Sequence, residues 1–127
     1  MPVIDNSQRK VFQVPVGMTH QSLANRDTGV NTVEMWRQTI APGGMTPLHR
    51  HNCEEVILVQ RGSGTVTIDG VPHAFGSDST LILPPNAVHQ LVNTGTEQVV
   101  LIAMLGMGPV VLESPQGERI QRPWLIP

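Results

Sequence analysis

The sequence predicts an all-β protein, folded as a small antiparallel sandwich or barrel. Eleven prolines and twelve glycines interrupt the chain every few residues, so few windows are long enough for a helical repeat. Short runs rich in β-branched residues lie between these interruptions. One pair of runs flanks Asp69-Gly70, a dipeptide that favours the type I′ turn of a β-hairpin. Many short strands separated by such turns are typical of packed sheets or a closed barrel.

Each apolar run predicts one strand. The strands are predicted at residues 11–16, 32–40, 56–59, 65–68, 71–75, 80–83, 89–92 and 99–105. Thr94-Gly95 predicts a turn between the last two strands. The first thirty or so residues and the tail from Glu113 are more polar and irregular. We interpret these two segments as arms around the barrel.

Length and composition exclude several classes of protein. A chain of 127 residues with 39% hydrophobic and 14% charged residues predicts one globular domain. The net charge of −2 and the scattering of only eight Lys and Arg residues argue against a nucleic-acid partner. The longest apolar stretch, residues 99–112, is too short to span a membrane. The lack of a secretory h-region and the single Cys53, which cannot form an internal disulfide, predict a cytoplasmic location.

The stretch HRHNCEEV, residues 49–56, carries the strongest chemical signal. In an extended segment alternate side chains share one face, so His49 and His51 point to the same side. Glu55 has the same parity and begins an apolar run, where an inward carboxylate is costly unless it is paired or bound to a metal. His89 begins another predicted strand after a proline-rich turn. These residues predict a metal site, with a polar turn rich in histidine as the alternative.

The spacing of these residues resembles the two sequence motifs of the cupin superfamily of small β-barrels. All the motif positions of the first motif are present in GGMTPLHRHNCEEVILVQRG, namely Gly43, His49, His51, Glu55 and Gly62. The second motif matches DSTLILPPNAVHQLVN at Pro84, His89 and Asn93. The resemblance covers about residues 30–105. It implies a jelly-roll barrel over that range, within one cupin domain that comprises residues 1–127 and includes both arms.

Two glycines of the second motif are replaced, by Asp78 and Asn86. Both replacements are turn residues, and asparagine tolerates left-handed backbone angles better than most residues. We therefore expect both turns to be kept. Asn93, near the end of the motif, is expected to tighten its turn rather than to contact a ligand.

In the cupin family the matching positions bind a divalent metal. The resemblance implies that His49, His51, Glu55 and His89 bind one transition-metal ion, with Fe, Mn, Ni, Cu, Co and Zn all suited to these ligands. An octahedral ion with four protein ligands keeps two positions open for substrate or O₂. A metal-dependent enzyme that acts on a small organic substrate is therefore implied, with a dioxygenase favoured and Glu55 as a catalytic base if it leaves the ion. The alternatives are a non-oxidative isomerase, lyase or decarboxylase, and a non-catalytic barrel that binds a small ligand.

The substrate pocket beside the ion is predicted to be apolar. Ile57 shares the face of Glu55, and Leu91 shares the face of His89, so both are expected to line it. Six methionines, no tyrosine and only four Phe and Trp residues predict an aliphatic and thioether wall rather than an aromatic one. Arg37 is the candidate anchor for an anionic substrate. Its strand alternates ambiguously, and a solvent-facing arginine is the alternative.

Three other residues have reactive side chains but lie outside the metal positions of the two motifs. Cys53 shares the parity of His51, although a buried or loop thiol is the simpler interpretation. His20 and His73 are interpreted as ordinary surface or turn histidines.

Besides a small-molecule substrate or ligand, the predicted partner is a second copy of the chain. Small cupins are commonly dimers, so the resemblance implies a homodimer with a twofold contact. We expect the apolar tail RPWLIP at this contact, and packing of the tail on its own barrel is the alternative.

Overall fold

Antiparallel strands make up nearly all the regular structure of this chain. The computed structural model describes residues 2–126 and, within that range, eleven strands and two short 3-10 helices, Asn6–Gln8 and Arg26–Thr28. The strands are β1 (Phe12–Val14), β2 (Met18–Ala24), β3 (Glu34–Ile40), β4 (Glu55–Arg61), β5 (Gly64–Ile68), β6 (Val71–Phe75), β7 (Ser79–Leu83), β8 (His89–Val92), β9 (Val99–Leu105), β10 (Leu112–Glu113) and β11 (Arg119–Ile120). The all-β class predicted from the sequence is confirmed.

Two sheets enclose the core. The first sheet has six strands in the order β1-β2-β3-β9-β4-β7, and the second has the order β6-β5-β8. Isolated bridges extend the second sheet, because Met45 pairs with Val92 and His49 pairs with His89. A further bridge joins Arg50 to Glu113 in β10, which forms a two-stranded ribbon with β11. The segment between β3 and β4 therefore lies beside β8, and this pairing positions the histidines.

The alternation of side chains divides the six-stranded sheet into an inner and an outer face. Trp36 and Ile57 both lie opposite Ala103 of β9, and all three are buried. Their strand neighbours turn outward, and Leu58 is exposed while Ile102 is half-buried. The period of two that predicts a half-buried strand is thus met in β3, β4 and β9.

One strand of the first sheet is absent from the sequence prediction. Strand β2 (Met18–Ala24) lies in the stretch that we expected to be an irregular arm, yet it pairs with both β1 and β3. Its sequence, MTHQSLA, mixes polar and apolar residues, so it lacks the apolar alternation that identifies the other strands. Its pairing with β1 on one side and β3 on the other, which depends on contacts distant in sequence, stabilises it as a strand.

The turns confirm the expectations drawn from their residues. Asp69 and Gly70 both have positive φ, 47° and 82°, as a type I′ turn requires. Asp78 and Asn86 also lie in the left-handed region, with φ of 60° and 63°. Both residues thus adopt a backbone conformation that glycine reaches at no steric cost, and both turns are kept.

The C-terminal tail packs on its own barrel at Trp124. This residue is 8% exposed and stacks on His20, with ring centroids 3.8 Å apart. Packing of the tail on its own barrel, the alternative to a subunit contact, is therefore found at Trp124, because the indole is covered within the chain. Pro127, the last residue of the tail, lies outside the described residues.

The structure also bears on membrane insertion. None of the helices within residues 2–126 has the length and apolar character needed to cross a bilayer.

Candidate metal centre

Four buried side chains converge inside the barrel. His49 and His51 come from the segment before β4, Glu55 is the first residue of β4, and His89 is the first residue of β8. One nitrogen or oxygen atom from each residue lies within 4.8 Å of the others. Two backbone hydrogen bonds between His49 and His89, of 3.0 and 2.8 Å, hold the two motifs side by side. The structure thus brings together all four residues that the sequence predicts as ligands.

Backbone carbonyls fix the orientation and the tautomer of all three imidazoles. The Nδ1 atom of His49 lies 2.6 Å from the Pro47 carbonyl oxygen. The Nδ1 atom of His51 lies 2.9 Å from that of Val111, and the Nδ1 atom of His89 lies 2.9 Å from that of Ala87. A carbonyl oxygen only accepts, so each Nδ1 carries the proton and donates. Each Nε2 therefore keeps a free lone pair, as in histidines that bind metals.

The atoms that face one another in this cluster are all acceptors. Glu55 Oε1 lies 3.4 Å from His51 Nε2 and 3.2 Å from His89 Nε2. None of these three buried atoms has a hydrogen-bond partner. Lone pairs that face a carboxylate at such distances repel it and leave all the groups desolvated, which is costly. A cation between them removes both costs, so these residues fit a metal ion.

Burial favours the neutral form of two of the imidazoles, which is the form that binds a metal. Burial, followed by the neighbouring His89 and His51, lowers the pKa of His49 to about 3. Burial also lowers the pKa of His51, against the opposing effect of Glu55. Near neutral pH these two side chains are thus ready to bind a metal without first losing a proton.

A small cavity of about 30 Å³ adjoins the cluster. His49, Glu55 and His89 of the cluster line it, and its other lining residues are mostly apolar and aromatic. The principal wall residues are Met18, Trp36, Gln38, Ile57, Leu91, Arg122 and Trp124. The space is that of a water molecule rather than of an organic ligand.

The structure corrects the prediction of an aliphatic wall. Ile57 and Leu91 line the cavity as expected, but so do Trp36 and Trp124, the two tryptophans of the chain. The prediction used the low count of aromatic residues, and a count does not reveal that both lie at one site. The alternation of side chains along β3 puts Trp36 on the inner face if Arg37 faces outward, but the sequence leaves the facing of this strand open. No sequence pattern predicts where the tail packs.

Arg37 is not among the residues that line the cavity. It is half-buried on the outer face of β3, where its Nη1 donates to Gln21 Oε1 at 2.9 Å. Arg37 therefore lies outside this cavity, and its role as an anchor for an anionic substrate stays a prediction. The pleat explains this: Trp36 occupies the inner face, so the next residue must face outward.

His20 is fully buried, so its interpretation as a surface or turn residue is wrong. Its Nδ1 lies 3.0 Å from Gln38 Nε2, and its Nε2 lies 3.1 Å from Ser22 Oγ. The amide nitrogen can only donate, so His20 is the Nε2–H tautomer and donates to the serine. Burial lowers the pKa of His20 to about 3. This chain of hydrogen bonds fixes the Gln38 side chain at the cavity wall.

The remaining interpretations of single residues agree with the structure. Cys53 is buried, and burial followed by the charge of Glu55 raises its pKa to about 11, which leaves it an unreactive thiol. His73 is exposed. Asn93 donates to the carbonyls of Ile40 and Glu97, both at 2.8 Å, and thus ties the turn rather than lining the cavity.

Fold and site together define a small cupin, with two antiparallel sheets around a cluster of three histidines and one glutamate. Residues 4–113 match the model of the auxin binding protein family, and the chain belongs to this family. Auxin-binding protein 1 of Arabidopsis thaliana is 38% identical over 104 residues, which cover 74% of this chain and 52% of that protein. Auxin-binding protein T85 of Nicotiana tabacum is 36% identical over 106 residues, which cover 74% and 57%. The chain spans about half the length of these curated relatives.

One relative is named as an enzyme. Dimethylsulfoniopropionate lyase DddW of Ruegeria pomeroyi is 45% identical over 51 residues, or 40% of this chain and 34% of the lyase.

Solved structures support the jelly-roll fold. The polyketide cyclase RemF of Streptomyces resistomycificus superposes with a TM-score of 0.74 at 21% identity, covering 87% of this chain and 83% of the cyclase. A predicted oxalate decarboxylase of Thermotoga maritima gives a TM-score of 0.75 at 17% identity, covering 83% and 98%. At these identities the likeness concerns the fold alone.

Proposed function

We propose that this chain binds one divalent transition-metal ion through His49, His51, Glu55 and His89, and uses it to bind a small organic acid. The observation that carries the proposal is the cluster of buried acceptor atoms without hydrogen-bond partners. Three Nδ1 atoms tied to carbonyls aim the imidazoles in advance, so little ordering is left to be done when the ion binds. Four protein ligands leave an octahedral ion with two free positions.

The charge of the site favours an anionic ligand. One carboxylate and three neutral imidazoles leave a divalent ion with a net charge of about +1 in a buried, mostly apolar place. A ligand carboxylate removes this charge, and neutral ligands do not. The indole and aliphatic walls at Trp36, Ile57 and Leu91 suit an apolar body attached to that carboxylate.

The family favours ligand binding over catalysis as the primary role. Two curated relatives that match 74% of this chain are named as auxin-binding proteins, and the present cavity is small, at about 30 Å³. Among the functions that the sequence left open, a small-ligand-binding cupin therefore has the best support. When bound, the metal would supply a Lewis acid beside a cavity whose lining includes Trp124 and Leu91.

A non-oxidative lyase or decarboxylase is the second candidate. It is favoured by the 45% identity with the lyase DddW over 51 residues. In that case Glu55, released from the ion, is the residue able to take a proton from the ligand. The dioxygenase activity that the sequence favours is supported by the ligand set alone. Oxygen uptake by the iron-loaded protein with diketones or phenols would test it.

Metal analysis tests the proposal directly. Protein purified without a metal-binding tag is expected to contain about one equivalent of a first-row transition metal by mass spectrometry. His49→Ala and His89→Ala should each lose it, because a vacant ligand position in this cluster leaves the ion poorly held. His73→Ala is the matched control, since this histidine is exposed and should leave the metal content unchanged.

The outcome that refutes the proposal is a folded wild-type protein that takes up no first-row metal even after reconstitution. Metal retained in both alanine variants would place the ion elsewhere. The predicted cytoplasmic location is a separate matter, and fractionation of the source cells tests it.

A further inference from the structure

Three buried N–H donors at the cavity have no acceptor. They are the indole Nε1 atoms of Trp36 and Trp124 and the Nε atom of Arg122, and all three residues line the cavity beside His49 and Glu55. Buried donors without a partner are rare in folded proteins, and each calls for an explanation.

The unpartnered atoms fall into two groups of opposite character. Among residues 2–126, the other buried side-chain atoms without a partner are the ligand atoms of His51, Glu55 and His89, together with Oδ1 of Asn6. Asn6 apart, the acceptors belong to the metal cluster, of which Glu55 and His89 line the cavity, and the donors belong to tryptophan and arginine residues that line it. A cation satisfies the acceptors, and an electron-rich group would satisfy the donors.

Arg122 adds a full positive charge to the donor group. Its Nη1 donates to the neighbouring Gln121 carbonyl at a long 3.3 Å in an exposed hydrogen bond, while its Nε is buried. None of the ion pairs formed within residues 2–126 includes it, whereas Arg50 is paired with Glu113. A guanidinium keeps its charge at every physiological pH and prefers a carboxylate as its partner. The C-terminal tail thus adds a half-buried cationic residue to the cavity lining.

We infer that the ligand of this cavity is an organic acid with two anionic ends, one bound by the metal and the other by Arg122. This inference rests on the metal-dependent binding proposed above and adds the second group of the ligand. Arg122 is then the residue that determines specificity, in the role that the sequence assigned to Arg37. Since the present cavity has room for only about one water molecule, the tail must move outward to admit such a ligand, which then links the tail to the metal.

Matched pairs of acids test the inference. Protein loaded with Co²⁺ is titrated with mono- and dicarboxylates of equal length, for example butanoate and butanedioate, and with the corresponding pairs of three to six carbons. The two tryptophans both line the cavity, so their fluorescence reports binding, while the Co²⁺ absorption spectrum reports contact with the metal. At the best length, the diacid is expected to bind wild-type protein about tenfold more tightly than the monoacid, since hydrogen bonds to charged groups have this strength.

Variants of the arginine assign this preference. Arg122→Gln should lose most of the preference for the diacid, measured as the ratio of the two dissociation constants, and Arg122→Lys should recover part of it. Arg119→Gln is the matched control, because Arg119 is an exposed cation of the same C-terminal segment and should keep the full preference. Metal content and circular dichroism confirm that each variant is folded and loaded.

The possible failures of this experiment are distinguishable. A diacid preference that survives in Arg122→Gln overturns the inference, because chelation of the metal by both carboxylates then explains it. A wild-type protein that binds both acids equally at every length also overturns it, while the proposed metal-bound acid stands. If no acid changes the Co²⁺ spectrum, the proposed function and the inference both fail.

Discussion

At the scale of single residues, Glu55 illustrates how a binding site is built at the expense of stability. Its carboxylate is buried with no hydrogen bond and faces the lone pairs of His51 and His89. Without metal this arrangement destabilises the fold, and with metal it supplies the only negative charge of the cluster. Such local conflict is expected where function, rather than folding, selects the residue.

The isosteric substitution Glu55→Gln should therefore have opposite effects on stability and on metal binding. The glutamine amide can donate to an imidazole Nε2, so the metal-free variant should be more stable than the metal-free wild type by about 1–3 kcal/mol. Its metal affinity should fall by more than about 100-fold, the upper range for loss of an outer-shell partner. Urea unfolding in EDTA and competition with a chromogenic chelator measure the two effects. A less stable metal-free variant would contradict this account.

His20 predicts a loss of stability in acid. Its pKa is lowered by burial to about 3, against a usual value of 6.5, so between these values the unfolded chain binds one more proton than the folded protein. The stability that the neutral imidazole provides is complete above pH 6.5 and is lost as the pH falls towards 3. The slope reaches about 1.4 kcal/mol per pH unit for one proton.

Comparison with a variant isolates this residue from the other buried histidines. The free energy of unfolding is measured from pH 7 to pH 4 in EDTA for wild type and for His20→Gln. The free energy of unfolding should fall less steeply with decreasing pH in the glutamine variant, because its side chain does not titrate. The difference in slope should be at most the contribution of one proton. Equal slopes for the two proteins would show that His20 is not the acid-sensitive residue.

At the scale of elements, the turns explain why the departures from the second motif are tolerated. Asp78 has φ of 60°, in the left-handed region where a residue with a Cβ is strained. Asp78→Gly should therefore be neutral or stabilising by up to about 1 kcal/mol, and Asp78→Val should be destabilising by about 1–2 kcal/mol. The control Ser77→Gly, at a neighbouring exposed position without positive φ, should be destabilising. Thermal unfolding measures all three, and a destabilised Asp78→Gly would refute the explanation.

The elements that local sequence specifies are those that could be predicted. The eight predicted strands all have a counterpart in the structure, since each has an apolar pattern or a turn dipeptide beside it. The four site residues could also be identified, because their spacing in two short motifs decides which way they face. Strand β2, the inward side of β3 and the position of Trp124 depend on contacts distant in sequence, such as the stacking of Trp124 on His20. No local sequence pattern predicts these contacts. The sequence therefore indicates Arg37, and not Arg122, as the anchor for an anionic substrate.

At the scale of the whole molecule, the barrel brings three distant parts of the chain to one cavity. The candidate metal ligands come from the segment between β3 and β4, the first residue of β4 and the start of β8, and the tail supplies Trp124 and Arg122. The Val111 carbonyl, just before β10, also orients His51. The metal cluster and the cavity wall therefore both depend on the C-terminal segment, which provides a physical route by which ligand and metal could influence each other's affinity.

The outer face of the six-stranded sheet is where we expect the homodimer contact. Its exposed apolar side chains lie on three adjacent strands, and Val56 is opposite both Ile82 and Met104. These three residues and Leu58 are 40–58% exposed. A nearly uncharged face of an antiparallel sheet can pack on the same face of a second copy about a twofold axis, and burial of this patch would then drive dimerisation.

Charge substitution on this face should give a monomer. Light scattering after size exclusion is expected to show a dimer for the wild type and a monomer for Leu58→Glu combined with Ile82→Glu, because a buried unpaired charge is strongly unfavourable. Val71→Glu, at an exposed apolar residue of the second sheet, is the control and should stay dimeric. A dimer that persists in the double variant would show that the interface lies elsewhere. A monomeric wild type would refute the predicted dimer. Metal content should be unchanged throughout, since this face and the metal cluster lie on opposite sides of the sheet.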